Sequence, residues 1–277
     1  MVGALARQRR GRATDYNARV KSRATPDVNQ LSVVGGVVCL VFAAGRYAVT
    51  ANDSGTNTVI AGIAALVAGT GAVTVMRPQA GSTRQPAWFS GIVPAAAAAV
   101  LGLGLAQLPV GAPWWLGLAG AAALWLIVVL AEYVTLDPDE GRRPLATLGL
   151  GVLTYILVFV LFTALAAAGA RAALSATSCG ALAGILAWRL FALQPRAEIG
   201  RAGLYALVVG LFAAEVMWAL GYWRVRPVTA AAVGLALFYL TVGLLGAQLQ
   251  GRLRRRLWIE YAVVGLLALA LAAAASL

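Results

Sequence analysis

Predominantly apolar runs of about 18–23 residues recur along almost the whole chain, each long enough to cross roughly 30 Å of hydrocarbon as an α-helix rising about 1.5 Å per residue. There are nine: Leu31–Thr50, Val59–Met76, Ala87–Pro109, Trp114–Leu136, Pro144–Leu165, Ala172–Leu193, Ala202–Trp223, Pro227–Gln248 and Trp258–Leu277. A backbone inside a bilayer must satisfy its own hydrogen bonds, so only helices and closed barrels cross it. Barrel strands would show about ten residues of alternating polarity. These runs are longer and do not alternate. Hydrophobic residues make up 61% of the 277 and charged residues 12%, whereas soluble domains carry about 25% charge. The expected class is therefore an all-α, polytopic integral membrane helix bundle with nine spans. Eight spans is the fallback, because the first run contains Arg46 and the second is short and rich in small residues.

Charge gives the orientation. Of the 22 basic residues, eighteen lie in the N-terminal segment and every second loop: seven before residue 30, then Arg77 and Arg84, Arg142 and Arg143, Arg189, Arg196 and Arg201, and Arg252, Arg254, Arg255 and Arg256. Only Arg171, Arg224 and Arg226 fall in the alternate loops. Cytoplasmic loops concentrate Lys and Arg, so the N-terminus is expected inside. The bias to arginine, with abundant Ala and Gly, suits a GC-rich bacterial genome and the bacterial inner (plasma) membrane. Tyr47, Trp114, Trp115, Tyr222 and Trp223 fall at outer span ends and Trp88, Trp188 and Trp258 at inner ends, as interfacial aromatics do. Residues 1–30 read as a basic tail without enough apolar content to fold alone, and residues 31–277 as one membrane domain. A shift of 113 residues lays Ala123-Leu124-Trp125 on Ala236-Leu237-Phe238 and Arg142-Arg143 on Arg255-Arg256, which suggests four-plus-four parallel repeats with one helix over.

Composition also excludes chemistry. The net charge of +12 sits in the tail and loops, so anionic lipid headgroups are the expected partner and nucleic acid is not. No histidine is present, which removes imidazole bases and His-ligated haem or zinc. Cys39 and Cys179 lie within spans as small apolar residues. No lysine in a span offers a retinal Schiff base, and P-loop, Rossmann and G-x-S-x-G patterns are absent. No cofactor and no metal are expected.

Charges inside spans are the main functional pointers left. Glu215 lies about 10–12 Å below the Tyr222-Trp223 belt at helical rise, too deep for so short a side chain to reach water. It is expected to face the bundle interior, paired, protonated or hydrated. Arg46, four residues from the outer end of its span, is the partner that matches in depth, or else an arginine that snorkels to the interface. Together they form the candidate intramembrane polar site. On the inner side Glu132, Asp137, Asp139, Glu140, Arg142 and Arg143 form the second candidate, read either as a solvated turn shaped by Pro138 and Gly141 or as a site for a divalent cation or polyphosphate complex. Gly180-Ala181-Leu182-Ala183-Gly184 is a GxxxG motif suited to close helix contact. Pro94 suggests a kink.

Three functions fit. The leading expectation is a non-catalytic membrane subunit or lipid-binding scaffold, with protein partners in a membrane complex. The alternatives are a transporter or flippase for a lipidic or small anionic substrate using Arg46 and Glu215, and a lipid-modifying enzyme using the Glu132–Arg143 patch.

Overall fold

The computed structural model describes residues 28–48, 54–80, 87–136, 143–194, 198–223 and 225–251, with isolated positions between 259 and 270. Most of the basic tail and most of the ninth candidate span lie outside the described residues. Within them the helices are α1 (Val28–Ala48), α2 (Ser54–Ala80), α3 (Ile92–Ala106), α4 (Ala112–Thr135), α5 (Arg143–Ala168), α6 (Ala172–Ala192), α7 (Ile199–Tyr222) and α8 (Pro227–Leu249). No strand occurs among the described residues. Eight helices are long and apolar enough to cross a membrane, taking α3 with the turn that precedes it. They match the first eight runs of the sequence in order.

Short connections make consecutive helices antiparallel neighbours. Only three residues separate α5 from α6, and the turn works because Gly169 adopts φ +57°, a left-handed conformation that other residues resist. Between α3 and α4, Gly111 at φ +124° reverses the chain and its carbonyl accepts from the amides of Trp114 and Trp115.

The centre of the bundle is α3. Of an 18-residue stretch within the span Trp88–Ala106, 78% is buried, against 17% of such a stretch in the first span, and α3 packs on α1, α2, α4, α5 and α6. The sequence explains this position: Ala95 to Ala99 is a run of five alanines, whose small side chains let several helices approach one. Pro94 lies close to the α-helical start of this span. The chain enters this span as a 3-10 turn, Ala87–Gly91, and becomes α-helical at Ile92. Pro94 therefore sits in the first turn, where an amide would have no intrahelical acceptor anyway. Its carbonyl accepts a hydrogen bond from the Trp125 indole at 3.0 Å, which fixes α4 against α3.

The tightest packing joins α6 to α7 through the GxxxG motif. A Cβ placed on Gly180 would lie 2.8 Å from the carbonyl oxygen of Gly210, and one on Gly210 would lie 2.7 Å from that of Gly180. Backbone meets backbone there. The outer surface is the reverse of a soluble protein's: Leu40, Leu66, Leu116, Leu145, Leu148, Leu204 and Leu207 are all exposed. A continuous apolar exterior of this kind needs acyl chains to cover it.

Candidate functional site

Two charged side chains are buried at one end of the bundle, and they hold each other. The last turns of α4 bury Val128, Val129, Glu132, Tyr133 and Thr135 on one face, and the end of α6 buries Leu186, Ala187, Arg189 and Phe191. Both faces carry one charge amid apolar neighbours. Arg189 Nε donates to Glu132 Oε1 at 2.7 Å, and Arg189 Nη2 donates to Glu132 Oε2 at 2.6 Å. This is the bidentate fork that guanidinium geometry favours. Arg189 Nη2 also donates to Thr135 Oγ1 at 3.1 Å, while the Thr135 hydroxyl donates to the backbone carbonyl of Glu132 at 2.7 Å. The two charged side chains are 4% and 0% exposed.

The 3-10 turn before α3 closes the cluster. Phe89 presents its ring to the guanidinium, with Cζ 5.5 Å from the ring centroid, an arrangement that attracts a cation to the π face. Trp188 stands edge-on to Phe89 at 5.2 Å, and Trp88 lies 6.4 Å from Trp188. Three separate segments meet at one ion pair. Both carboxylate oxygens are occupied by the guanidinium, and neither Glu132 nor Arg189 lines the four main cavities among the described residues. The arrangement suits a structural clamp. It does not present a free base or an open ligand position.

The second candidate site of the sequence therefore divides. Glu132 turns inward to Arg189 and away from a solvated patch. Asp137, Asp139, Glu140 and Arg142 lie outside the described residues, and Arg143 opens α5. Among the described residues no group of three or more Cys, Asp or Glu side chains is placed to hold a metal.

The first candidate site is also corrected. Glu215 is exposed and makes no hydrogen bond or ion pair with any described residue. The cause is helix phase. The small face of α7, Ala202, Ala206, Val209, Gly210 and Ala213, packs into the interior, and Glu215 lies about 200° around the helix from Ala213 at about 100° per residue. Arg46 points elsewhere: its Nη2 donates to the carbonyl of Leu108 at 3.3 Å, just past the end of α3, where a cation complements the helix dipole. Its helix packs on α2, α3 and α4, while that of Glu215 packs on α5, α6 and α8. The structure does not bring the two together. Beside Arg46, Tyr47 contacts Trp114 at 6.0 Å and Trp115 at 6.1 Å, the outer aromatic belt.

Sequence reasoning missed Arg189, which counted only as a loop charge. The signal was present: Glu132 and Arg189 each lie four residues inside the end of an apolar run, as Arg46 does.

Cavities complete the inventory. A groove of about 490 Å³ runs along the outside of the α6–α7 contact, lined by Thr177, Gly180, Ala181, Gly184, Trp188, Gly203 and neighbouring Leu and Ala side chains. Another of about 330 Å³ lies among α3, α4 and α5, and one of about 280 Å³ lies among α1, α3 and α4. All three are walled almost entirely by apolar side chains. A fourth, of about 230 Å³, is polar and lies at the far end of α6 from the ion pair.

The class is thus a multi-pass helical membrane protein, clamped at one end by a buried ion pair and bearing apolar grooves along its flanks. The chain belongs to the family DUF5656, described as a protein of unknown function, whose model matches residues 39–275. No curated protein and no solved structure matches it.

Proposed function

We propose that this protein is a non-catalytic, lipid-binding scaffold of a bacterial inner membrane, oriented with its N-terminal tail in the cytoplasm. The observation that carries the reading is the groove between α6 and α7. From Thr177 to Trp188 it follows α6 for about 16 Å at helical rise, close to half the thickness of the hydrocarbon core. Its walls are the glycines and alanines of the two helices, so an acyl chain can lie against backbone. At one mouth stands Trp188, whose indole donates to the Ile199 carbonyl at 3.4 Å, and Arg201, 73% exposed, lies in the first turn of α7 at the same end of the bundle. A tail in the groove and an anionic headgroup at this basic end match that arrangement, and on the positive-inside reading this mouth faces the cytoplasmic leaflet.

The buried Glu132–Arg189 pair supports the non-catalytic side of the reading, because its hydrogen-bonding groups face each other. The test is native mass spectrometry from mild detergent. Wild-type protein is expected to retain bound anionic phospholipid, and Ala181→Leu/Gly203→Leu, which fills the groove from its exposed side, to lose it. Equal lipid retention by both proteins, or none by either, overturns the proposal.

A further inference from the structure

We infer that the end of the bundle opposite the ion pair carries a binding pocket for a small, uncharged group rich in hydroxyls. The cavity of about 230 Å³ is enclosed by the start of α2, the ends of α3 and α5, and the start of α6. Five polar side chains line it: Asn57, Thr58, Gln107, Ser175 and Ser178. Thr58 has a partner, whereas the side chains of the other four make no hydrogen bond to a described residue.

Most described threonines of the spans behave differently. Thr70, Thr74, Thr154, Thr163, Thr177 and Thr241 each direct the hydroxyl to a carbonyl three or four residues back, at 2.7–2.8 Å. Such back-bonding is the usual way to satisfy a hydroxyl in a helix. Ser175 and Ser178 sit in the same kind of helix and do not use it. Ser175 is only 4% exposed, and its Oγ, which is not one of the fully buried atoms without a partner among the described residues, is reached through the cavity. A concave site with convergent, unused polar groups is the usual form of a ligand pocket.

The lining sets the ligand's chemistry. Among the described residues no charged side chain lines it, which favours an uncharged ligand. Amides and hydroxyls both donate and accept, which is the pattern a polyol reciprocates. The volume equals that of about seven or eight waters at about 30 Å³ each, room for a small polyol or one sugar-like headgroup. The rim includes exposed Gln107, Ala167 and Leu174, and Gln107 and Ala167 also line the α3–α4–α5 groove. A lipid with its tail in that groove could therefore present a neutral, hydroxyl-bearing headgroup to the pocket. A free polyol would offer the same chemistry.

The test places a reporter in the pocket without altering its polar groups. Ala170→Cys in phosphatidylcholine nanodiscs is labelled with methyl methanethiosulfonate, and wild-type protein, with Cys39 and Cys179 alone, gives the background. Erythritol at about twice its Kd should slow the reaction roughly threefold, since occupied pockets do not react. Glycine betaine at equal osmolality should not slow it. Ser175→Ala and Asn57→Ala, each added to the reporter, should abolish the protection while leaving labelling intact. Nanodiscs containing a neutral galactolipid distinguish the source: protection by them without erythritol places the hydroxyl group on a lipid, and protection by erythritol alone makes the ligand a free solute. Either outcome supports the pocket. Absence of labelling, equal effects of erythritol and betaine, or protection that survives both alanine variants overturns it.

Discussion

Glu132 and Arg189 have what an intramembrane charge needs, a partner of opposite sign with matching geometry. Breaking such a pair leaves the survivor uncompensated, at a cost of about 3–5 kcal/mol, whereas replacing both members by apolar groups can be nearly neutral. Glu132→Leu and Arg189→Leu should each lower the unfolding temperature in detergent sharply, and the double variant should recover most of the loss. Strict additivity in the cycle would show that the two residues do not interact. Arg46 and Glu215 should behave in the opposite way. Arg46→Leu removes a contact to the end of α3 and should cost about 1 kcal/mol, Glu215→Leu should cost little, and the double variant should be additive within about 0.5 kcal/mol. Coupling above that level would restore the pairing inferred from depth alone. At this scale the sequence revealed which residue types were unusual but not which of them meet. Depth along a span can be read from position. The direction a side chain faces depends on which stripe of its helix packs, and on α7 the stripe of small residues outcompeted the lone carboxylate.

Elements were far more legible. Eight helices fall where apolar length and turn residues placed them, because in a bilayer hydrophobic length leaves little choice of structure. Pro94 marks the limit of that legibility: the apolar run alone does not reveal where the α-helix begins, two residues before it. The glycines sort by what their missing Cβ would meet. Gly210→Ala places a methyl group 2.7 Å from the Gly180 carbonyl oxygen, where only backbone can yield, and should cost about 1–3 kcal/mol as overpacking does. Gly62 on α2 has no heavy atom within 4 Å of the same added carbon, so Gly62→Ala should hold or raise stability, by up to about 1 kcal/mol on helix propensity. Thermal unfolding of both variants in one detergent checks the contrast. Equal effects would mean that α6 and α7 are not in backbone contact.

For the molecule as a whole, orientation rests on charge and the interior on small residues. Reporter fusions at Gly111, between α3 and α4, should report the outer side, and fusions at Gly251, after α8, the cytoplasm. The reverse assignment would invalidate the positive-inside reading and move the α6–α7 mouth to the other leaflet. The ordered succession of helices was visible in the chain. The central position of α3, the clamp and the cavities were not, since each arises from helices distant in sequence. The scaffold account is tested most directly by a crystal structure grown from a lipidic mesophase doped with anionic phospholipid. The expected result is acyl-chain density against Gly180, Gly184 and Gly203, with a headgroup phosphate at the Trp188 end of the groove. A groove closed by movement of α7, or occupied by protein in place of lipid, would contradict it.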